Sequence, residues 1–188
     1  LRLNPVVEEA LRLVRVGLPP GVELVSRIDP ATPAVLADPG QIHQVVVNLC
    51  RNAWQALEPQ GGRLTVTLEP LAADAPDRGL LPGLTGAWAH LRVADTGPGM
   101  EEAVREKVFE PFFTTKPAGQ GTGLGLAVVH GIVRAHGAQV RVDSAPGRGA
   151  TFHVYFPATL ETTTGAAAAP VPPLPRRGGR LLFVDDEA

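Results

Sequence analysis

The sequence has little cysteine, no excess of charge of one sign and no long apolar run, and each absence excludes a class of protein. A single cysteine, Cys50, excludes an internal disulfide framework and fits a reducing compartment, so we expect a cytoplasmic location. The 17 basic and 19 acidic residues give a formal net charge of −2, which provides no basic field for nucleic acid. No apolar stretch approaches the ~20 residues that span a bilayer, so we expect no direct membrane contact.

What is present suffices for one well-buried domain followed by a fragment of another. The chain has 188 residues, 44% of them hydrophobic, and we assign the domain to residues 1–157. Residues 158–179, rich in Thr, Ala and Pro, predict a flexible linker. Residues 180–188 begin like a strand and end beside an acidic pair. Because the chain starts without Met and stops inside this strand-like segment, we expect it to be part of a longer protein.

The hydrophobic pattern of the domain predicts three helices and five strands. Asn4 should cap the first helix and Asp38 the second, which should run to about Leu57. Residues 70–86, rich in Pro, Gly and Ala, are interpreted as a tolerated insertion. The predicted strands are Val22–Ile28, Arg63–Glu69, Ala87–Ala94, Ala138–Asp143 and Thr151–Phe156.

A glycine-rich loop is the most informative local feature. Four glycines lie within Gly119–Leu126, directly before the apolar, helix-like segment Ala127–His136. Positions without side chains let the backbone approach a ligand closely, and the start of a helix offers free N–H groups to an anion. A phosphate is the expected ligand, and a flexible hinge is the alternative.

Two asparagines on the second helix are the next candidate feature. Asn48 and Asn52 are four residues apart, hence on one helical face. Asparagine is a mediocre helix former with no structural reason to recur in mid-helix. Its amide oxygen is a hard ligand suited to Mg²⁺ that is held mostly by phosphates and water. A solvated polar face is the alternative.

Two further patches lie between the asparagines and the glycine loop. Asp95 follows a strand in which Leu91 and Val93 share its side, and a carboxylate there is costly to bury unless it meets donors. An ordinary strand-end turn would be the alternative. The second patch, Phe109–Lys116, combines an aromatic cluster with a lysine, and on its own it would be a small satellite core.

In this order and spacing, the four patches resemble the ATP-binding catalytic domain of sensor histidine kinases, in the superfamily shared with gyrase, Hsp90 and MutL. The likeness covers residues 1–157. It implies an α+β fold of the Bergerat type, a two-layer α/β sandwich with a mixed sheet of about five strands and helices on one face. ATP and Mg²⁺ would lie between the helix layer and a lid spanning roughly Met100–Gly121.

The resemblance also implies roles for individual residues. Asn52 would coordinate Mg²⁺ with Asn48 alongside it, Asp95 would accept a hydrogen bond from the adenine amine, and Asn48 and Lys116 would serve catalysis. The other implied nucleotide contacts are Gly97, Gly99, Thr115, Gly121, Thr122, Gly123, Leu124, Gly125 and Thr151. Family members often carry a basic or phosphate-contacting residue where this chain has Gln55, so Arg51 or Lys116 would supply that charge.

The reaction implied is phosphoryl transfer to a histidine. Hydrolytic relatives have a glutamate four residues before the metal-binding asparagine, and this chain has Asn48 there, which cannot accept a proton. None of the five histidines has the setting of a phosphoacceptor, so we expect that residue on a separate dimerisation domain. Residues 180–188 resemble the start of a receiver domain, in which Asp185 and Asp186 would help to hold Mg²⁺.

Three other interpretations of the same patches are open. The domain could be a non-catalytic module whose lid is ordered by nucleotide, or an ATP-hydrolysing machine of the gyrase or MutL type. A serine kinase of the anti-sigma type shares the fold. The receiver-like tail counts against the last two, and Asn48 counts against the hydrolase.

Overall fold

A five-stranded mixed sheet with helices on one face forms the domain. The computed structural model describes residues 1–58, 60–71, 86–116 and 121–159, so the predicted linker beyond Thr159 and the predicted receiver fragment lie outside the described residues. The helices are α1 (Leu3–Gly17), α2 (Pro39–Leu57), α3 (Glu102–Lys107) and α4 (Gly125–Ala135). The strands are β1 (Val22–Ile28), β2 (Gly62–Pro70), β3 (Trp88–Asp95), β4 (Gln139–Ser144) and β5 (Ala150–Pro157). The predicted two-layer α+β architecture is confirmed.

The strand order is β1-β2-β3-β5-β4, with β1 parallel to β2 and every other pair antiparallel. Parallel neighbours need a long crossover connection, and α2 provides it between β1 and β2. The antiparallel register places Leu64 opposite Asp95 and Ala94 opposite Thr151. Because directly opposed residues share a face, this register decides which side chains face the helices.

One face of the sheet and the apolar faces of α1, α2 and α4 enclose the core. Alternate strand residues point to the helices, as the pleat of a strand requires. The fully buried core residues include Leu49, Leu64, Val66, Leu68, Leu91 and Val154. Among the described residues, no helix is both long and apolar enough to cross a bilayer.

The two predicted helix caps have different outcomes. The Asp38 cap is confirmed, because its Oδ1 accepts a hydrogen bond from the Gln41 amide at 2.8 Å. The Asn4 cap is wrong: α1 begins at Leu3, and the Asn4 side chain instead donates to the Asp29 carbonyl at 2.8 Å. A long-range partner at the β1 end thus replaces the local capping contact.

His136, which follows α4, ties the end of that helix to the start of α2. Its Nε2 accepts a hydrogen bond from the Asp38 amide at 3.1 Å, and its Nδ1 lies 2.8 Å from the Ile132 carbonyl oxygen. Since Nε2 accepts, Nδ1 carries the proton and donates.

The sheet face away from the helices holds a second histidine contact. The Nε2 atom of His90 lies 3.0 Å from Nδ1 of His153, and both side chains are buried. One nitrogen must donate and the other accept, so the two rings share one proton across this contact. Asp143 Oδ2 lies 3.3 Å from the other ring nitrogen of His153.

The observed helices and strands differ from the predicted ones where the sequence has no apolar periodicity. Helix α3 was not predicted, and none of its residues is buried, so no stripe marked it. Helix α4 begins at Gly125 and β3 extends through Asp95, which places that carboxylate on the last residue of a strand.

Two turns interlock at the end of the sheet that carries Asp95. The Gly147 amide, in the β4–β5 turn, donates to the Pro98 carbonyl at 2.6 Å. Gly99 and Gly149 have φ of +72° and +71°. A Cβ on Gly99 would overlap the backbone carbonyl oxygen of Ala145 in the opposite turn, and a Cβ on Gly149 would overlap that of Asp95. Neither turn could keep its shape with a side chain at these positions.

Gly149→Ala should destabilise the domain much more than Gly147→Ala. Both glycines have positive φ, +71° and +74°, but nothing lies within 4 Å of a Cβ at Gly147. Gly147→Ala should therefore cost only the left-handed backbone term of about 1–2 kcal/mol. Gly149→Ala must also displace the Asp95 carbonyl and should cost more than about 3 kcal/mol.

Urea unfolding followed by circular dichroism gives both free energies. Equal losses in the two variants would contradict the interlocked packing.

Candidate functional site

One face of α2 carries the two predicted asparagines and contacts both the glycine loop and the turn that follows Asp95. The Asn48 Nδ2 donates to the Gly125 carbonyl at 3.4 Å, at the start of α4. Eight residues further along, Ala56 borders the Asp95 turn, because a Cβ at Gly97 would lie 3.3 Å from the Ala56 carbonyl oxygen. These two contacts are about 12 Å apart along the helix. Asn52 lies between them, on the same face.

Asp95 presents a buried carboxylate at one end of this face. Its side chain is on the helix-facing side of the sheet, and the residue is 8% exposed. Oδ1 accepts hydrogen bonds from the amides of Gly97 at 2.8 Å and Ala150 at 3.3 Å. Burial raises the pKa of this carboxyl, and the two amide donors oppose the rise. Oδ2 has no hydrogen-bond partner among the described residues, so one oxygen of this largely buried carboxylate is available to a ligand.

The glycine loop is packed against the predicted Phe109–Lys116 patch. Gly123 has φ of +65°, and a Cβ there would overlap the backbone of Phe112. The Phe112 amide donates to the Gly123 carbonyl at 3.0 Å, and Phe112 itself has φ of +65°. A Cβ at Gly121 would lie 2.8 Å from the Thr114 hydroxyl oxygen. The glycines thus permit close approach between two backbone segments.

The loop leads into the open amino-terminal end of α4. The Thr122 hydroxyl accepts a weak hydrogen bond from the Leu124 amide at 3.4 Å, and no side chain in the described part of the chain caps the helix. The amides of a first helical turn have no partner inside the helix. This end of α4 therefore has backbone donors for an anion, beside the Asn48 contact at Gly125.

Lys116 reaches α2 where the sequence lacks a basic residue. Its Nζ donates to Oε1 of Gln55, one turn after Asn52. Partial burial lowers the pKa of this amine, the positive charge of Arg51 lowers it further, and Glu58 acts in the opposite direction. Of the two predicted sources of charge, Lys116 is half-buried and Arg51 is exposed.

Asn52 is the residue best suited to a metal. Its side chain is half-buried and makes no hydrogen bond to another described residue. Its amide oxygen is therefore available, and amide oxygens are suitable Mg²⁺ ligands beside phosphates. Asn48 differs, because its amide nitrogen is engaged by Gly125.

Thr151 is the predicted site residue that the structure separates from the others. It lies opposite Ala94 on β5, on the same face as His153 and Tyr155, whereas Asp95 faces the helices. A shift of one residue along a strand reverses the face, and Ala150 is the neighbour that contacts Asp95. The geometry gives no support to nucleotide binding by Thr151. Thr115 is exposed, and Gly99 serves the contact between the two turns.

Sequence reasoning missed the β4–β5 turn as a wall of this site. The Ala150 amide supports Asp95, and the Ser144 hydroxyl donates to the Gly149 carbonyl at 2.7 Å. The only local signal was the pair of glycines at 147 and 149, which predicted a turn and nothing about its neighbours.

Two clefts lie elsewhere on the domain. One of about 290 Å³ lies between α1 and β1, and one of about 530 Å³ lies beside His136 and Thr159. Neither is lined by a predicted site residue, so the candidate site rests on the groups that converge along α2.

Comparison with known proteins identifies the family of the chain. The family described as histidine kinase-, DNA gyrase B- and HSP90-like ATPase matches residues 37–160. Sensor kinase CckA of Brucella abortus is 44% identical over 128 residues, which cover 68% of this chain and 13% of that protein.

Solved structures agree with this match. The catalytic domain of histidine kinase ThkA, free of nucleotide, superposes with a TM-score of 0.67 at 28% identity, covering 85% of this chain and 94% of that domain. Full-length ShkA in complex with AMPPNP gives a TM-score of 0.62 at 28% identity, covering 84% of this chain and 30% of ShkA. The chain therefore belongs to the histidine kinase-, DNA gyrase B- and HSP90-like ATPase family, as a catalytic ATP-binding domain of the sensor histidine kinase type.

Proposed function

We propose that the chain binds Mg·ATP along α2 and transfers the γ-phosphoryl group to a histidine on a dimerisation domain, in two-component signal transduction. The observation that carries the proposal is the single face of α2, which contacts the Asp95 turn at one end, the glycine loop at the other, and Lys116 between them. A base, a metal-bound triphosphate and a counter-charge can be held by one rigid element.

The Asp95 end suits adenine. A carboxylate only accepts hydrogen bonds, and Oδ1 already receives two amides. The exocyclic amine of adenine would supply the donor that Oδ2 lacks, whereas guanine presents an acceptor at the corresponding position.

The other end suits phosphates. Asn52 would ligate Mg²⁺, which would neutralise phosphate charge, and Lys116 would add a positive charge one turn further along. The uncapped start of α4 and the glycines that precede it would supply backbone amides. Phosphoryl transfer depends mainly on such positioning and charge stabilisation.

A histidine acceptor fits better than water. A water nucleophile benefits from a carboxylate that accepts its proton, and the residue four before Asn52 is Asn48, whose amide nitrogen is engaged by Gly125. A histidine with an ordinary pKa of ~6.5 is mostly neutral at pH 7 and already nucleophilic. The partners proposed are therefore a histidine-bearing dimerisation domain and the receiver domain whose start residues 180–188 resemble.

Phosphotransfer is tested by mixing the chain with the dimerisation domain of its full-length protein and γ-labelled ATP. Label should appear on that domain in a Mg²⁺-dependent manner, and Asn52→Ala should abolish most of it. Binding of ATP without any transfer would favour the nucleotide-gated module. Rapid ATP hydrolysis by the chain alone, dependent on Asn48, would favour the hydrolase.

Asp95→Asn should weaken binding of a non-hydrolysable ATP analogue by about 1–3 kcal/mol, because an amide replaces a buried charged acceptor. Isothermal titration calorimetry measures the change. Asp29→Asn is the matched control, since Asp29 lies outside the site and its Oδ1 accepts from the Ala31 amide at 2.8 Å. Unchanged affinity in Asp95→Asn would contradict the base contact.

Affinity for the same analogue should fall as the pH rises toward the ordinary lysine pKa of 10.5. The pKa of the Lys116 amine is lowered in the free protein, so its positive charge is lost at a lower pH than in an exposed lysine. Lys116→Arg keeps its charge throughout this range and should flatten the profile. Superimposable pH profiles of the two proteins would show that Lys116 does not face the phosphates.

A further inference from the structure

The hydroxyl of Ser144 joins three segments around the candidate base pocket. Ser144 is the last residue of β4, and its Oγ accepts a hydrogen bond from the Met100 amide at 2.9 Å. The same oxygen donates to the Gly149 carbonyl at 2.7 Å. A single side chain thereby fixes the spacing between the end of β4, the start of β5 and the chain that enters α3.

Each of these segments leads to the site. Gly149 is followed by Ala150, whose amide donates to Asp95 Oδ1 at 3.3 Å. Met100 is followed by α3, where Arg105 returns to the Ser144 carbonyl with an Nη1–O distance of 3.3 Å. The serine therefore has contacts both with the wall behind the carboxylate and with the segment that leads to the Phe109–Lys116 patch.

The supporting contact at Asp95 is sensitive to small shifts. The Ala150 hydrogen bond is long at 3.3 Å, and Gly149 already lies against the Asp95 carbonyl. Without the Ser144 hydroxyl, the Gly149 carbonyl and the Met100 amide both lose a partner, and the two turns are held mainly by the Gly147–Pro98 contact.

We infer that Ser144 is a positioning residue of the nucleotide site, which acts through the Gly149–Ala150 backbone to orient the Asp95 carboxylate toward the base. This inference rests on the proposed function. Ser144 itself is not expected to touch the nucleotide.

The test measures affinity for the non-hydrolysable ATP analogue in the 188-residue chain and its variants, at a temperature where thermal unfolding shows all of them folded. Ser144→Ala should weaken binding about fivefold, the equivalent of one neutral hydrogen bond. Ser144→Thr keeps the hydroxyl and should bind within about twofold of the wild type. Ser26→Ala, at an exposed position of β1, is the matched control and should bind like the wild type.

A double-mutant cycle with Asp95→Asn separates positioning from general loosening of the fold. If Ser144 acts through the carboxylate, Ser144→Ala should have little further effect in the Asp95→Asn background. An undiminished fivefold loss there, normal affinity of Ser144→Ala, or failure of Ser144→Thr to retain binding would each overturn the inference. Failure of the wild type to bind the analogue would instead refute the proposed function.

Discussion

A carboxylate at the end of a core strand is the constraint on which the site depends. Asp95 continues the buried row of Leu91 and Val93, and a charge in that position is costly unless donors meet it. Two backbone amides do so, from Gly97 in its own turn and from Ala150 across the sheet. Both donate to Oδ1, which leaves Oδ2 without a hydrogen-bond partner among the described residues. Burial raises the pKa of the carboxyl, and the two amides only partly oppose the rise.

That arrangement determines the shape of the surrounding backbone. The Ala150 amide reaches Asp95 only because the β4–β5 turn lies directly on the turn that follows β3, and the two have glycines where side chains would overlap. The glycines here are packing residues more than hinges. Their positive φ values and the Gly147–Pro98 hydrogen bond describe a rigid wall beside the carboxylate. A rigid wall is what orients an acceptor without further cost when a ligand arrives.

Helix α2 contributes to both the buried core and the polar site because one of its faces is apolar and the other is polar. Leu49 and Ala53 pack on the sheet, while Asn48 and Asn52 face the glycine loop and the Asp95 turn. The helical period sets this division, so the sequence alone predicted it. The same holds for Asp95, because the alternation of apolar residues along β3 is enough to place its carboxylate at the end of a buried row.

Contacts between distant segments could not be predicted in this way. His136 at the Asp38 amide, Ser144 between two turns, and Lys116 at Gln55 join positions that no local pattern relates. Thr151 shows that prediction is also limited within a strand. Adjacent residues of a strand face opposite sides of the sheet, and Thr151 lies on the side away from Asp95. The periodicity of apolar residues identifies the buried faces and the ends of helices and strands. Only tertiary packing decides which of these faces and ends contact one another.

The Lys116–Gln55 contact changes how charge is delivered to the proposed triphosphate. A basic residue on α2 would hold its charge on a rigid helix, independent of the rest of the site. Here the amine belongs to the segment before the glycine loop and is positioned by a neutral amide on the helix. The Phe112 amide donates to the Gly123 carbonyl, so a direct backbone contact joins the segment that carries Lys116 to the glycine loop before α4. In the proposed complex, the placement of the counter-charge and of the backbone donors at the start of α4 would therefore depend on the same contact.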